Sequence, residues 1–336
     1  HLEGDSYGLY RHTWDSRAYL LITGMGAPAP YNSTNLYKTA YGMLYMRRPD
    51  GQYMRDGDTY LDDDSMWSYW GGNSQAYLLD SAIGNDPYLK SEYARMIKNF
   101  GGFYENSPIM QLIVNNPEIE PKPISNLPLS RYFGSPVGMS LARTGWQDGA
   151  DSPAVVAQMK VGEVNLNNHQ HLDAGHFQIY YKGILASDSG VYQGLRNDKS
   201  EGGTTYGSEH YNMYMSKSVA HNTMLVYDPD EYTVNTGFPY YESVSTNRKY
   251  TRDGGQRTPF NGISPGTVSG IQSNSKVATV AAQEIDPATP NTPSYTYLKG
   301  DLTNAYSSKV SDYKRSFMFL NLFDEEVPGA MIVFDK

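Results

Sequence analysis

The chain of 336 residues contains no cysteine, which excludes disulfide bonds and metal sites built on thiolates. Positive charge is in deficit, since Lys and Arg number 27 against 36 Asp and Glu, giving a formal net charge of −9. Nucleic-acid-binding proteins usually carry basic surfaces, so that class is disfavoured. No apolar run approaches the ~20 residues of a membrane-spanning helix, and we therefore expect no membrane span.

Tyrosine is abundant, with 30 residues. Its ring has a flat apolar face and a hydroxyl at the edge, a combination that suits packing on a sugar ring. The same properties suit a tyrosine-rich protein core, and composition alone favours that second interpretation.

Periodicity divides the chain into helices followed by strands. Apolar positions recur every three or four residues from Leu36 to Tyr45, and similar helical patterns cover 14–23, 65–82 and 88–100. Five prolines between residues 104 and 128 indicate a connecting segment. Short strands are predicted after it, at 137–143, 154–160, 176–182, 222–227, 276–282, 314–320 and 331–334.

The sequence therefore predicts an α+β chain with segregated domains. Residues 1–105 form a helical domain, 106–128 a linker and 129–336 an antiparallel β-sandwich. We expect the chain to be an internal portion of a longer protein, with an incomplete sandwich.

Three of the seven histidines lie within eight positions, at His169, His171 and His176. On an extended strand His169 and His171 point to the same side, about 7 Å apart. Asp188 follows about one strand and turn later, and His221 precedes another apolar segment. Two imidazoles and a carboxylate suit zinc and leave a fourth position for water. The alternative is that Asp188 is a turn residue, that His221 is a satisfied core histidine, and that His176 is structural.

The segment NHQHLDAGHFQIYYKG at 168–183, followed by LASDSGVY and VAHNT, resembles the signature of the heparinase II/III-like polysaccharide lyases. LPLSRYF and SLARTGW are similar to strands that precede this signature in the family. The resemblance runs from about residue 3 to the end. It favours the heparinase II branch, with the alginate lyases as further relatives.

The resemblance implies a secreted or periplasmic enzyme that cleaves a uronic-acid-containing polysaccharide by β-elimination and leaves unsaturated uronate ends. It implies an incomplete α/α toroid, partial in this chain, followed by an antiparallel β-sandwich, with the cleft between them. It also implies that His169 is catalytic and that His171, Asp188 and His221 bind one structural zinc ion.

The family's second catalytic group is a tyrosine on the helical domain. The matching segment is EGDSYG at 3–8, which makes Tyr7 the candidate. Arg11 lies four residues later, on the same face if this stretch is helical, and resembles an arginine that approaches the substrate. Asn168 and Tyr192 are further candidate substrate contacts.

The chemistry requires that the uronate carboxylate be neutralised while the C5 proton leaves. The family's neutralising residue lies upstream of the catalytic tyrosine, so we expect it outside this chain. The net charge of −9 means that an acidic polysaccharide would need a locally basic cleft. Heparin or heparan sulfate, alginate and ulvan are all compatible polymers. Two alternatives from other classes are a zinc-dependent hydrolase and a non-catalytic carbohydrate-binding portion.

Overall fold

A computed structural model describes most of the chain. The described ranges are 4–60, 72–100, 108–166, 169–192, 206–208, 210–230, 253–257, 270 and 275–336. All structural statements below refer to these residues.

The first part is helical. The described helices are α1 (Gly4–Gly24), α2 (Ser33–Tyr37), α3 (Ala40–Met46), α4 (Gly72–Gly84), α5 (Pro87–Phe100) and α6 (Pro108–Val114). The start of α5 shows how local sequence defines an element. Asp86 accepts hydrogen bonds from the backbone N–H groups of Tyr88 (2.9 Å) and Leu89 (3.0 Å), and Pro87 occupies the first position, where no N–H is needed.

The helices pack around an apolar core that they share with the first sheet. In α3 both Ala40 and Leu44 are fully buried, and in α4 Tyr77 and Leu79 are equally inaccessible. This core extends to Leu141 of the sheet. Burial of such faces is the main favourable term in folding, and here it attaches α1, which carries Tyr7, to the rest of the molecule.

In the described part of the chain, nine strands form two antiparallel sheets. The first contains β1 (Ser130–Phe133), β2 (Met139–Arg143), β3 (Val156–Lys160), β4 (Phe177–Tyr180) and β5 (Ile184–Ala186), in that order. The second contains β6 (Thr279–Ile285), β7 (Tyr295–Asp301), β8 (Lys314–Asn321) and β9 (Gly329–Asp335), also in sequence order.

The two sheets pack against each other across a second apolar core. β7 and β8 alternate between buried and half-buried positions, as expected for strands with one face inward. Met159 of the first sheet shares this core with Leu298 and Phe317 of the second. At Gly300 a Cβ atom would lie 2.8 Å from Val161 Cγ2, so the close approach of the two sheets requires glycine there.

The α+β class and the antiparallel sheets agree with the sequence prediction, while the toroid stays a prediction. The strand predicted at 222–227 is wrong. Its backbone makes isolated hydrogen bonds instead of pairing with a neighbouring strand. The N–H of Asn222 donates to His176 Nδ1 (2.9 Å), and the N–H of Val226 donates to the carbonyl of Gly254 (2.8 Å). β5 and β7 were not predicted, and β1 was indicated only by the resemblance of LPLSRYF to a strand of the family.

The predicted linker, 106–128, contains α6 in its described part. The helix predicted at 65–82 begins at Gly72 in the described structure, and 65–71 lies outside the described residues. Within the described residues, every helix is too short or too polar to cross a bilayer.

Candidate active site and metal centre

The rings of Tyr7 and His169 lie against each other. Their centroids are 3.6 Å apart and their planes differ by 9°. Tyr7 is half-buried near the start of α1, and His169 is 8% exposed, in the segment that precedes β4. The helical part and the sheet part of the chain therefore each supply one ring to a common place. Tyr206 adds a further aromatic wall, 5.1 Å from the His169 ring.

A buried carboxylate, Asp58, holds the His169 ring from the other side. Its Oδ2 atom lies 2.6 Å from His169 Nδ1, and its Oδ1 atom lies 2.8 Å from His171 Nε2. The hydroxyl of Tyr192 donates to the same Oδ2 at 2.6 Å. Asp58 is completely inaccessible to solvent, so its charge depends on these donors.

The donors keep this carboxylate ionised. Burial opposes ionisation of Asp58, but the hydrogen bonds from His169 and His171 lower its pKa below the usual value. Burial and the charge of Asp58 raise the pKa of Tyr192 far above that of free tyrosine. Tyr192 therefore stays protonated and acts as a hydrogen-bond donor to Asp58.

A second buried carboxylate, Asp188, lies between two other imidazoles. His221 Nδ1 is 2.9 Å from Asp188 Oδ1, and His176 Nε2 is 3.6 Å from Asp188 Oδ2. The His171 ring is close as well, 5.1 Å from the His221 ring. Arg55 fixes the backbone of this turn by donating to the carbonyl oxygen of Asp188 at 3.0 Å.

Several polar atoms around Asp188 are buried and have no hydrogen-bond partner among the described residues. They are His171 Nδ1, His176 Nε2, Asp188 Oδ2, and both ring nitrogens of His221, whose Nδ1 lies 2.9 Å from Asp188 Oδ1 as an ion-pair contact without hydrogen-bond geometry. Buried polar groups are normally paired, so such a concentration requires an explanation. A metal ion bound by His171, Asp188 and His221 would use the unpaired atoms of all three. The chemistry of these donors suits zinc, and the zinc site stays a prediction.

The charges around Asp188 lead to the same interpretation. Burial raises the pKa of a carboxyl group, yet the neighbouring His221 holds the pKa of Asp188 well below its usual range. Burial alone would lower the pKa of His221, but the charge of Asp188 raises it. A proton and a metal ion would thus compete for this imidazole.

Asp173 is a further carboxylate at this centre that the sequence did not single out. Ligand atoms of Asp173, Asp188 and His221 lie within 4.8 Å of one another. Asp173 also accepts a hydrogen bond from Lys160 at 2.7 Å, and the same ammonium group pairs with Asp56. Lys160 thus shares its single charge between two carboxylates, so Asp173 is a candidate third ligand beside the predicted His171.

The contacts of His176 indicate a structural histidine. Its Nδ1 atom accepts a hydrogen bond from the backbone N–H of Asn222, so the neutral ring carries its proton on Nε2. Burial lowers the pKa of His176 to about 4, which keeps the ring neutral. With Nδ1 engaged and Nε2 protonated, this ring has no lone pair for a metal.

The other predicted contacts have different outcomes. α1 covers both Tyr7 and Arg11, so the predicted helical spacing is present, and Arg11 is exposed. Asn168 lies outside the described residues. Tyr192 is 4% exposed and bonded to Asp58, so it supports the site from within; the prediction of direct sugar contact is therefore disfavoured.

A groove of about 500 Å³ lies near the start of α1, and the described residues that line it do not include Tyr7 or His169. It lies between the α2–α3 region and the first sheet, and Gly8, the neighbour of Tyr7, contributes to its wall. Its other walls include Lys38, Met43, Asp56, Phe133 and Met139. A volume of this size is within the range of ligand sites.

Asp58 is the main site residue that sequence reasoning missed. It lies 111 residues before His169 in the chain, in a segment without a recognisable motif. Carboxylates are common, with 36 in the chain, so nothing local distinguishes this one. Asp173 was visible within the histidine motif, two residues after His171, and proximity to two histidines could have identified it.

Comparison with known proteins agrees with this architecture. Residues 138–261 match the family model described as "Heparinase II/III-like, C-terminal". A crystal structure of heparinase III is similar, with a TM-score of 0.50 and 12% identity over 97% of this chain and 38% of that one. The heparan sulfate lyase HepC from Pedobacter heparinus aligns with a TM-score of 0.48 and 13% identity, over 94% and 37%.

The chain thus spans little more than a third of the length of these structures. At such identity the likeness to heparinase III establishes the fold. A search of curated protein sequences finds no match.

Proposed function

We propose that this chain, whose residues 138–261 form a heparinase II/III-like C-terminal region, contributes the catalytic groups of a polysaccharide lyase. The single observation that carries the proposal is the stacked pair of Tyr7 and His169, one from the helices and one from the sheet side. The substrate would be a uronic-acid-containing polysaccharide, the class that the resemblance to the heparinase II/III-like family implies. The expected location is the periplasm or the cell exterior, where such polymers occur.

In this proposal His169 and Tyr7 divide the proton transfers of β-elimination between them. One takes the C5 proton of the uronate, and the other delivers a proton to the departing glycosidic oxygen. Asp58 accepts the Nδ1–H of His169, so Nε2 keeps the lone pair that a base requires. Which group acts as base depends on the stereochemistry at C5.

Substrate binding would involve the exposed guanidinium of Arg11, one turn after Tyr7 on α1. The groove near the start of α1 offers the ammonium group of Lys38 and the aromatic ring of Phe133. A cation satisfies a uronate carboxylate, and an aromatic face suits a sugar ring. Asn168 stays a proposed contact on its sequence position beside His169.

One zinc ion would be held by His171, Asp188 and His221. It would supply a fixed positive charge that organises the turn after β5. These side chains are 1%, 0% and 7% exposed, so an attacking water would have little access to such a metal. Burial therefore favours a structural ion over the catalytic zinc of a hydrolase, which needs an open position.

A panel of uronate polymers, followed by the ultraviolet absorbance of unsaturated uronate products, tests this function. We expect turnover on at least one polymer. Tyr7→Phe and His169→Ala should each reduce it by about 10²–10⁴-fold, since each removes one proton-transfer group. Circular dichroism should show that both variants remain folded.

Tyr19→Phe is the matched control, because Tyr19 lies on the same helix and contacts Tyr31. It should keep full turnover. Undiminished activity of Tyr7→Phe would remove that phenol from the mechanism. Polymer binding by calorimetry without any cleavage would support a non-catalytic carbohydrate-binding portion.

A further inference from the structure

The segment 55–60 connects the helical part to both histidine clusters. Besides the bond from Arg55 to the Asp188 carbonyl, the backbone N–H of Asp58 donates to the carbonyl of His169 at 3.0 Å. The carbonyl of Thr59 accepts from the backbone N–H of Tyr192 at 2.8 Å. Backbone contacts on both sides therefore fix where the Asp58 carboxylate lies.

Three side chains among the described residues donate hydrogen bonds to this carboxylate. Oδ2 accepts hydrogen bonds from His169 Nδ1 and the Tyr192 hydroxyl, both at 2.6 Å. Oδ1 accepts one from His171 Nε2 at 2.8 Å. An ionised carboxylate has no proton to donate. Each of the three partners must therefore bring its own hydrogen.

That requirement determines the tautomer of both rings. His169 carries its hydrogen on Nδ1, which leaves Nε2 with the lone pair. His171 carries its hydrogen on Nε2, which leaves Nδ1 with the lone pair. The latter atom is buried, and no described residue bonds to it. Metal-binding histidines usually donate their second N–H to a carboxylate in this manner.

We propose that Asp58 is a positioning residue that sets the tautomers of His169 and His171 together, making one a proton acceptor and the other a metal ligand. The role of His169 as acceptor rests on the proposed function, whereas the tautomer of His171 does not. The Asp58 side chain would thus orient both the histidine of the elimination chemistry and a histidine of the proposed metal centre.

Asparagine at position 58 would break the arrangement in a defined way, because its amide has one oxygen acceptor and one NH₂ donor. If the oxygen faces His169, the amide donor faces Nε2 of His171, and that ring must move its hydrogen to Nδ1. If the oxygen faces His171, His169 must move its hydrogen to Nε2. One of the two functions is lost in either orientation.

The test begins with the wild-type full chain loaded with zinc, using long-range ¹H–¹⁵N NMR of the histidine rings. We expect the Nδ1–H form for His169 and the Nε2–H form for His171. The opposite tautomer at either ring overturns the proposal. This measurement requires no variant and no turnover, so it remains decisive if Asp58→Asn fails to fold or the protein cleaves no polymer.

Asp58→Asn provides the second arm. Loss of a supporting carboxylate typically reduces metal affinity or activity by about 10–100-fold. We expect either kcat reduced by that factor with unchanged KM and zinc, or weakened zinc binding with a changed His171 signal. Unchanged tautomers, zinc affinity and kcat together would overturn the proposal.

Asp80→Asn is the matched control. Asp80 is also fully buried and also bonds a histidine and a hydroxyl, His12 at 2.6 Å and Ser16 at 2.7 Å, but it joins α1 to α4. Its substitution should lower the melting temperature and leave the ring signals of His169 and His171 unchanged. A similar signal change in Asp80→Asn would show that the effect is general loosening, which contradicts a specific role for Asp58.

Discussion

Asp58 and Asp188 are alike in burial and differ in how their surroundings satisfy them. Both are completely inaccessible, and each lies between two imidazole rings. Protein donors complete the hydrogen bonding of both Asp58 oxygens. Around Asp188, one carboxylate oxygen and four imidazole nitrogens have no hydrogen-bond partner among the described residues.

The difference in hydrogen bonding indicates that aspartate and histidine have different roles in the two clusters. A carboxylate surrounded by N–H and O–H donors fixes the orientation and tautomer of its neighbours. A buried carboxylate beside several imidazole nitrogens that lack a hydrogen-bond partner would suit a metal ion, since a cation can bind both a carboxylate oxygen and a ring lone pair. His171 belongs to both clusters, with Nε2 directed to Asp58 and Nδ1 unpaired.

Removal of the metal ion proposed at the Asp188 cluster should have the largest effect on stability. An ion that binds the native state at about 1,000 times its dissociation constant stabilises it by ~4 kcal/mol. A chelator should therefore lower the melting temperature by roughly 5–10 °C in a chain of this size. Differential scanning calorimetry with and without chelator measures the shift.

His221→Ala is the control for that experiment. It removes two of the unpaired nitrogens, so the variant should have lost most of its zinc by elemental analysis, and chelator should no longer change its melting temperature. Full zinc content in His221→Ala would contradict the assignment of this ring as a ligand.

Tyr192→Phe tests the Asp58 side of the comparison and should have an intermediate effect. It removes one of three donors and leaves both imidazole bonds in place. We expect a loss of about 0.5–1.5 kcal/mol in unfolding free energy, typical of one hydrogen bond, and turnover reduced less than in Tyr7→Phe. Urea denaturation and the ultraviolet assay measure the two quantities. A loss of turnover equal to that of Tyr7→Phe would mean that Tyr192 participates in the chemistry.

Asp335 is a carboxylate whose partner is an arginine instead of a histidine, and its substitution should have the smallest effect. Burial opposes its ionisation, but hydrogen bonds and charge from Arg315 lower its pKa. Arg315 Nε donates to it at 2.7 Å, and the carboxylate side chain is 28% exposed, so solvent weakens the pair. Asp335→Asn should cost about 1 kcal/mol at neutral pH.

The sign of the pH dependence follows from the lowered pKa. The stabilisation by Asp335 is fully present above the unfolded pKa of about 4 and is lost as pH falls through the lower folded value. Urea midpoints of wild type and Asp335→Asn should thus differ at pH 7 and converge at pH 2–3. An undiminished difference at acid pH would exclude the ion pair as its cause.

The parts of the site that were predictable lie close together in sequence or on one regular element. His169 and His171 belong to one short motif, and Tyr7 and Arg11 to one helix. Asp58 was not predictable, because only the tertiary fold brings residues 111 apart into contact. The same reason explains the error at 222–227, where an apolar alternating segment forms hydrogen bonds with loops and side chains.

Cleavage in H₂¹⁸O tests most directly whether the Tyr7–His169 pair supports elimination. Hydrolysis incorporates one labelled oxygen for each bond cleaved, whereas elimination incorporates none and leaves an unsaturated end. Mass spectrometry of freshly formed products should show fragments without label, each pair lighter by one water than hydrolysis would give, and Tyr7→Phe should form few of them. Products that carry ¹⁸O and lack the double bond would contradict the account.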